Sequence, residues 1–452
     1  MIHQIDPSEK ATSTLFKTMK KLKINTMLRK ANITKSKGIA VNHIFQMLIV
    51  LTFYGKNLYR LLNSNQGLDM PSKDAFYRFL NYPKYAWRRF LLMLATKVIS
   101  TFDGLTSQKR VKVFVLDDSL YSRERSKKVE LLARVFDHTT MKFAKGFTML
   151  TLGWSDGFSF IPIDFTMLSS AKEHNRLSPE SDFIDKRSHG YKRRKEAIIT
   201  KPHRACQMVD QALESGIHAD YILMDTWFTN EPMIQSITLK GLDIIGMVKD
   251  LKQKYNLNGK ICSLTELRSS IRSNKRSDII GSLNVRTKTG IAVKLVFVKN
   301  RNKRKEWLVI LSTDLSIDEK EVIRIYGMRW SIEVFFKSTK SLLKLGSEFQ
   351  GRSYDMLVSH TTIVFTRYIL LEWERRHHQD NRTLGGLFFL ICDEVRDIDF
   401  KNALIDLLAV FDVLKKDIPD RIKELVSCQL NNWIQSQPSH IKVLLGELYC
   451  ES

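Results

Sequence analysis

Three carboxylates, far apart in the sequence, are the residues of this chain whose types and placement could do chemistry. Asp118 (beside Asp117) ends the apolar run VKVFVLDD, Asp225 ends the run YILMD, and Glu333 lies in a stretch with helical spacing. Three carboxylates can hold two divalent metal ions about 4 Å apart, and such a pair catalyses displacement at phosphorus. Hard oxygen ligands favour Mg²⁺ or Mn²⁺. The residues therefore indicate a metal-dependent phosphoryl-transfer site with Asp118, Asp225 and Glu333 as ligands, and Asp117 stays open as the first acid.

Cations and a phenol accompany Glu333 along one side of its helix. A single helix is expected over residues 317–345, with acidic residues near its start. At about 100° per residue, five spaced positions fall within about 80° of arc. Guanidinium and ammonium groups on that face would bind the phosphates of a nucleic acid strand. The five residues are Tyr326, Arg329, Glu333, Lys337 and Lys340.

The spacing of four of these residues carries a resemblance to a known family. Tyr326-x2-Arg329-x3-Glu333-x6-Lys340 resembles the Tyr-Arg-Glu-Lys signature of bacterial insertion-sequence DDE transposases of the IS-four-like family. VLDDS at 115–119 is similar to the first-acid strand of that family, and LMDTWF at 223–228 is similar to the second. The order of the three acids and the long insertion between the last two agree with the family pattern.

The resemblance implies a ribonuclease-H-like core in which Asp118, Asp225 and Glu333 are catalytic and bind two Mg²⁺ or Mn²⁺ ions. The implied activity is cleavage of DNA at the terminal inverted repeats of an insertion sequence and transfer of the 3′-hydroxyl to target DNA, by a homodimer in the DNA complex. A tryptophan after the second acid could stack on a displaced base, whereas Trp330 is expected to pack in the core. The residues that would contact DNA are Trp227, Tyr326, Arg329, Lys337 and Lys340.

A mixed α/β core must position these residues. Apolar runs predict strands at 111–118, 221–225 and 242–248, and a hairpin at 147–167 that turns at Ser155-Asp156-Gly157. Helices between the later strands give an α/β arrangement of layers around a mixed sheet. Three further strands, at 281–287, 291–299 and 307–313, indicate an inserted β-rich subdomain.

The flanks are helical and basic. The chain has 72 Lys and Arg residues against 48 Asp and Glu, a net charge of +24, and residues 1–110 have 19 against 5. This excess favours a polyanionic partner, here double-stranded DNA. The expected organisation is a basic helical DNA-binding domain at 1–105, the first part of the catalytic core at 106–248, the insertion at 249–316, the Glu helix at 317–350 and a helical region at 351–452.

Several other classes of function are excluded by missing motifs. No GxxxxGK[ST] or HExxH occurs, which argues against an ATP-driven enzyme and a zinc hydrolase. The five cysteines form no CxxC pair, so neither a disulfide framework nor a cysteine zinc site is expected. Without a signal peptide or a long apolar run, we expect a cytoplasmic, nucleoid-associated bacterial protein with no membrane partner. Two alternatives stay open: a ribonuclease-H-like endonuclease that does not transpose, and a DNA-binding protein with a decayed site.

Overall fold

Helices alone precede the first strand in the part of the chain that the structure describes. The computed structural model describes residues 13–64, 70–107, 109–137, 140–181, 184–250, 253–272, 277–300, 303, 306–377, 382–414 and 418–437. A 3₁₀ turn at Leu51–Tyr54 follows the third helix. The helices are α1 (Thr14–Lys21), α2 (Ile24–Lys30), α3 (Val41–Val50), α4 (Leu58–Leu62), α5 (Lys73–Leu80) and α6 (Trp87–Gly104). The predicted helical start is confirmed.

Eleven strands form one mixed sheet within the described residues. In chain order they are β1 (Val113–Ser122), β2 (Ala133–Asp137), β3 (Lys142–Ser155), β4 (Phe160–Leu168), β5 (Tyr221–Met224), β6 (Asp243–Val248), β7 (Tyr255–Leu257), β8 (Lys260–Cys262), β9 (Ile279–Arg286), β10 (Ala292–Lys299) and β11 (Trp307–Ser312). Their spatial order is β2-β3-β1-β5-β6-β11-β10-β9-β7-β8, and β4 pairs with β3. The mixed sheet confirms the predicted α/β class and agrees with a ribonuclease-H-like core.

Parallel pairing brings an acid within β1 next to the acid that follows β5. β1 pairs with β5, and β5 pairs with β6, in parallel register, with Leu116 opposite Met224. Asp117, the next residue of β1, therefore lies at the same level of the sheet as Asp225, the residue after β5, although β1 itself continues beyond the predicted strand 111–118 to Ser122 along β3. The carboxyl ends of parallel strands are where α/β folds place their ligands.

The predicted hairpin is present between β3 and β4, which pair antiparallel. Its turn places Gly157 at φ +81°, a left-handed conformation that favours glycine. Asp156 holds the turn, because its Oδ1 accepts hydrogen bonds from the backbone N–H groups of Phe158 (3.0 Å) and Ser159 (2.8 Å). The turn predicted at Ser155-Asp156-Gly157 is therefore confirmed.

The β-rich insertion continues the central sheet. Its three predicted strands are present as β9, β10 and β11, and the short strands β7 and β8 add to them. β11 pairs antiparallel with β6, where Leu311 lies opposite Gly246. A Cβ atom at Gly246 would lie 2.3 Å from Oγ1 of Thr229. The glycine therefore leaves room for the turn that follows β5 and contains Asp225.

Helices cover the sheet between and after these strands. They are α7 (His189–Glu196), α8 (Lys201–Glu214), α9 (Glu231–Thr238) and α10 (Leu264–Ser270). The basic stretch 189–204, which carried no predicted element, forms α7 and the start of α8. Helix α8 begins with Pro202 in its first turn, where a missing N–H costs nothing.

The prediction of a single helix over 317–345 is wrong. Two helices occupy the segment, α11 (Glu319–Gly327) and α12 (Trp330–Ser341). Between them the N–H groups of Met328 and Arg329 donate to carbonyls three residues back, at 2.9 and 3.0 Å, which is 3₁₀ geometry. Glycine has a low helix propensity, and Gly327 ends α11. The Tyr-Arg-Glu-Lys spacing therefore spans two helices, with Arg329 at their junction.

The C-terminal helices of the described chain are α13 (Tyr354–His377), α14 (Leu384–Leu414) and α15 (Asp420–Ser436). Of these, α13 and α14 pack against the N-terminal region. Of the 24 residues of α13, 21 are buried, so this helix lies inside the molecule. Trp373 stacks on Phe102 of α6 at 5.9 Å between ring centroids. The two helical flanks therefore share one hydrophobic core. Of the described helices, none combines the length and the apolar content that a membrane span requires.

Candidate active site

The two neighbouring acids in the middle of β1 have different partners. Oδ2 of Asp117 accepts a hydrogen bond from Nη1 of Arg329 at 2.7 Å. Asp118 instead accepts a short hydrogen bond from Nζ of Lys201. Successive side chains of a strand point to opposite faces, so the two carboxylates separate. Asp117, and not the predicted Asp118, therefore lies on the side of Arg329 and Glu333.

Arg329 joins the strand to the helix. Its Nη1 binds Asp117, and its Nη2 donates a short hydrogen bond to Oε1 of Glu333, one turn further along α12. Arg329, which the sequence predicts to contact DNA, therefore forms ion pairs within the protein with both β1 and α12. The guanidinium therefore holds the first and third carboxylates of the cluster together.

Asp225 is fixed by the turn that it begins. Its Oδ1 accepts hydrogen bonds from the backbone N–H groups of Trp227 at 2.9 Å and Phe228 at 3.2 Å. Its backbone carbonyl accepts hydrogen bonds from the N–H and the hydroxyl of Thr229. An aspartate that caps its own turn in this way has little freedom to rotate. The second carboxylate is therefore held at the end of β5.

Burial and neighbouring charges perturb the acidity of Asp117. Burial is the largest cause that raises its pKa to about 7; the Arg329 guanidinium opposes the shift, and the charge of Asp225 adds to it. Burial also raises the pKa of Tyr326 to about 12, with Asp225 and Asp117 adding to the effect. The Arg329 guanidinium lies 5.9 Å from the centre of the Tyr326 ring. Asp117, Asp225, Glu333, Arg329 and Tyr326 thus form one electrostatic cluster.

The two lysines predicted on the same helical face differ in position. Nζ of Lys340 donates a hydrogen bond to Oγ of Ser119 on β1 at 2.5 Å, and desolvation lowers the pKa of Lys340. Lys340 therefore lies beside the acidic residues of β1. Lys337 is exposed on α12.

Lys201 is a residue of the site that sequence reasoning missed. It stands in the first turn of α8, binds Asp118, and places its ammonium 4.0 Å from the centre of the Trp227 ring and 5.7 Å from that of Phe228. It thereby joins Asp118 of β1 to the turn after β5. Its only signal in the sequence is its place at the end of the basic stretch 189–204.

The two tryptophans close to the acids are both accessible. Trp227 is 40% exposed and Trp330 is 64% exposed. The prediction that Trp330 packs in the core is wrong, because the buried face of α12 is formed by Ile332, Phe335 and Phe336. Both indole rings can therefore be reached by a ligand at the site.

The donor chemistry of the cluster fits a hard cation, but the acids are not gathered around one point. Among the described residues, no three His, Cys, Asp or Glu side chains are arranged to hold a metal ion. The only cation that contacts both Asp117 and Glu333 there is the Arg329 guanidinium. A buried carboxylate whose pKa is raised, as that of Asp117 is, is stabilised in its charged form by added positive charge. The residues therefore suit a divalent cation once the Arg329 side chain moves aside.

Comparison with known proteins gives two family models that match the chain. One is described as "DDE superfamily endonuclease" and matches residues 50–255. The other is described as "Transposase DDE domain" and matches residues 184–370. Together these matches include every residue of the cluster.

A curated protein is also similar to the chain. It is "Transposase for insertion sequence element IS1151" from Clostridium perfringens, 26% identical over 185 residues. The match covers 37% of this chain and 36% of that relative. The chain therefore matches about a third of the length of the curated relative.

Proposed function

Because this chain belongs to the DDE transposases, we propose that it cuts DNA at the ends of an insertion sequence and joins the freed 3′-hydroxyl to target DNA. The observation that carries the proposal is that Arg329 pairs with both Asp117 on β1 and Glu333 on α12, while Asp225 lies level with Asp117 across the parallel β1–β5 pair. The substrates would be double-stranded DNA with terminal inverted repeats and a target duplex. Membership of the IS-four-like family and a homodimer in the DNA complex belong to the same proposal, which the Tyr-Arg-Glu-Lys spacing supports.

Asp117, Asp225 and Glu333 would be the metal ligands. Asp117 takes the place that the sequence gave to Asp118, because Asp117 is level with Asp225 across the β1–β5 pair and is bound to the same guanidinium as Glu333. Two bound Mg²⁺ or Mn²⁺ ions would supply an activated water or 3′-hydroxyl and would stabilise the leaving oxygen. DDE enzymes depend on divalent metal, and the carboxylate donors of this chain suit Mg²⁺.

Arg329 would exchange its carboxylate partners for phosphate during the reaction. A guanidinium binds carboxylate and phosphate with the same planar fork of donors. In the structure it neutralises Asp117 and Glu333. A divalent cation would take over that neutralisation and free the fork for the scissile phosphate. Lys340 beside Ser119 and the exposed Lys337 would contact flanking phosphates.

Lys201 would hold the strands of the candidate active site in position. Its ion pair with Asp118 and its contact with Trp227 connect β1 to the turn that follows β5. Asp118 would thus support the first acid without binding metal, and Trp227 would offer an accessible ring to the DNA.

The test is cleavage and strand transfer on DNA that carries the ends of the element, with Mg²⁺ and with EDTA. Asp117→Asn, Asp225→Asn and Glu333→Gln should each lose cleavage while DNA binding and melting temperature stay close to wild type, because each keeps the shape and removes a metal-binding charge. Asp118→Asn is the matched control and should retain measurable cleavage. Loss of cleavage in Asp118→Asn with full activity in Asp117→Asn would reverse the assignment. Cleavage without joining by the wild type would favour a nuclease.

A further inference from the structure

A groove runs along β1 away from the acidic cluster. Two cavities of about 480 and 830 Å³ adjoin there and share Gly346 and Ser347 in their walls. The smaller cavity begins at Asp118 and Lys340, and the larger one ends at the loop of residues 123–129 and the segment that leads into α13. We call the combined surface the β1 groove. It is an open channel that starts beside the candidate active site.

The charge of the β1 groove becomes more positive with distance from the acids. Two acids and one lysine line the smaller cavity: Asp118, Asp137 and Lys340. Five cations and one acid line the larger cavity. Four of these cations are exposed and form no ion pair with a residue that the structure describes. A cluster of uncompensated cations attracts a polyanion. The four are Arg125, Lys127, Lys128 and Arg352.

The floor of the β1 groove is fixed in place. Tyr121 is buried there, and Arg123 binds its hydroxyl at 3.0 Å while its guanidinium lies 4.8 Å from the ring centre. Arg123 also donates a short hydrogen bond to the carbonyl of Gly346. Gly346 has φ +77°, and a Cβ atom there would contact the Tyr121 ring at 3.6 Å. Both walls of the groove are therefore joined across its floor.

The basic loop is held at both of its ends. The N–H of Arg123 donates to the carbonyl of Lys145 at 2.8 Å, and the carboxylate of Glu124 accepts from the N–H of the same lysine at 2.8 Å. At the other end, the N–H of Glu130 donates to the carbonyl of Arg352 at 2.8 Å. The backbone that carries the cations is therefore held beside the groove, and their exposed side chains project from it.

We infer that the β1 groove binds the sugar-phosphate backbone of a DNA strand that leads to the acidic cluster. From Asp118 to Ser122 the strand extends about 14 Å, which corresponds to about four phosphates of one strand of duplex DNA. The phosphates beyond would meet Lys127, Lys128 and Arg352. That the DNA reaches a cleavage site at the near end rests on the proposed function, whereas DNA binding in the groove does not.

Binding of DNA to the full chain in EDTA tests the groove without cleavage. The probe is a short, fluorescently labelled duplex of arbitrary sequence, with the matching single strand as a second probe. Lys127→Glu/Lys128→Glu should weaken binding about tenfold or more, and should reduce the slope of log K against log salt by about 1.8, or about 0.9 for each lost phosphate contact. The milder Lys127→Gln/Lys128→Gln should act in the same direction. Melting temperature should not change, since both side chains are exposed.

A charge-matched control lies at the opposite end of the sheet. Lys260 on β8 and Lys288 after β9 are exposed, and Lys260→Glu/Lys288→Glu changes the net charge by the same amount. This control should leave affinity and salt slope close to wild type. Equal weakening by the two double variants would overturn the inference, because binding would then follow overall charge. Duplex and single-strand probes show which form of DNA the groove prefers.

Crosslinking locates the bound strand. A photo-crosslinking residue in place of Ser126 should react with DNA, and on a cleavable substrate it should mark nucleotides about four or more positions from the cut. No crosslink from this position would overturn the inference. If wild-type protein binds through the groove and never cleaves, the proposed function fails while the groove stands. If the groove variants bind normally and the wild type cleaves, the inference fails while the function stands.

Discussion

Replacing Arg329 with alanine separates its part in the reaction from its part in the fold. The guanidinium makes one half-buried ion pair, to Asp117, and one more exposed ion pair, to Glu333, whose side chain is 36% exposed. A hydrogen bond to a charged group contributes about 2 kcal/mol, and solvent screening reduces the exposed pair to less than about 1 kcal/mol. The expected loss in the free energy of unfolding is therefore about 3 kcal/mol.

That loss should lower the melting temperature only slightly. Unfolding entropy is about 2.1 cal/mol/K for each residue, so a chain of 452 residues should melt about 3 °C lower. Cleavage should fall far more, by about 10² to 10³, the usual effect of removing one preorganised donor from a developing anion. Arg329→Lys should recover little, because an ammonium lacks the planar fork.

Arg324→Ala is the matched control for this experiment. Arg324 stands on α11, is exposed, and pairs with Glu321 one turn away. Its removal should cost less than about 1 kcal/mol and leave cleavage unchanged. Melting is followed by calorimetry, and cleavage is measured in single turnover per folded molecule. A large fall in melting temperature with normal cleavage by Arg329→Ala would refute the phosphate role and leave only the ion pairs.

Two further predictions use residues distant from the acids. Lys20 and Lys30 lie at exposed positions of α1 and α2. If they contact phosphate, Lys20→Glu and Lys30→Glu should each lower the slope of log K against log salt for DNA binding by about 0.9. An unchanged slope would show that these positions of the N-terminal helices do not contact DNA. Burial lowers the pKa of His360 from its ordinary value of 6.5, so below about pH 6.5 the unfolded chain binds a proton that the folded chain does not. The free energy of unfolding should therefore fall with decreasing pH by up to about 1.4 kcal/mol per pH unit, and His360→Gln should flatten this dependence in urea titrations; equal slopes in the two proteins would contradict it.

The acids that follow the buried runs of β1 and β5 could be predicted because their signals are local, whereas the predicted end of the first strand at residue 118 is wrong, because pairing with β3 extends β1 to Ser122. Val113 to Leu116 are apolar and fully buried, and the acids follow at once. The choice between Asp117 and Asp118 could not be made in this way. It depends on which residue of β1 lies level with Met224 of β5, and the two are separated by more than 100 positions. A shift of one residue turns a strand side chain to the other face of the sheet. The sequence pattern around two adjacent acids is therefore the same, although their side chains point to opposite faces.

The missed features share a dependence on tertiary contacts. A single Gly327 is compatible with a continuous helix, and only the packing of α11 and α12 reveals the break. Lys201 lies 83 positions from its partner Asp118, and neither residue indicates the other in the sequence. Trp330 has a side chain that usually packs in a core, yet its neighbours Ile332 and Phe335 already fill the buried face of the helix.

A buried network links α3, the segment that follows α12 and the wall of the β1 groove. Arg367 of α13 donates to the carbonyls of Ile49 at 3.0 Å and Leu343 at 3.3 Å, and to both oxygens of Glu348 at 2.9 Å. Oε2 of Glu348 also hydrogen-bonds to His360 at 2.9 Å.

Leu343 and Glu348 enclose the turn that contains Gly346 and Ser347, which both cavities of the groove share. The same arginine therefore anchors α3, the end of the segment that carries Glu333, and the wall of the groove. Removing one partner of a fully buried charge costs about 3 to 5 kcal/mol, so this connection is rigid. Deleting residues 1–105 would take away the Ile49 carbonyl and the packing around Trp373, and would unfold the core before it could report on DNA binding. Charge reversal at exposed lysines is for that reason the sharper test of the N-terminal region.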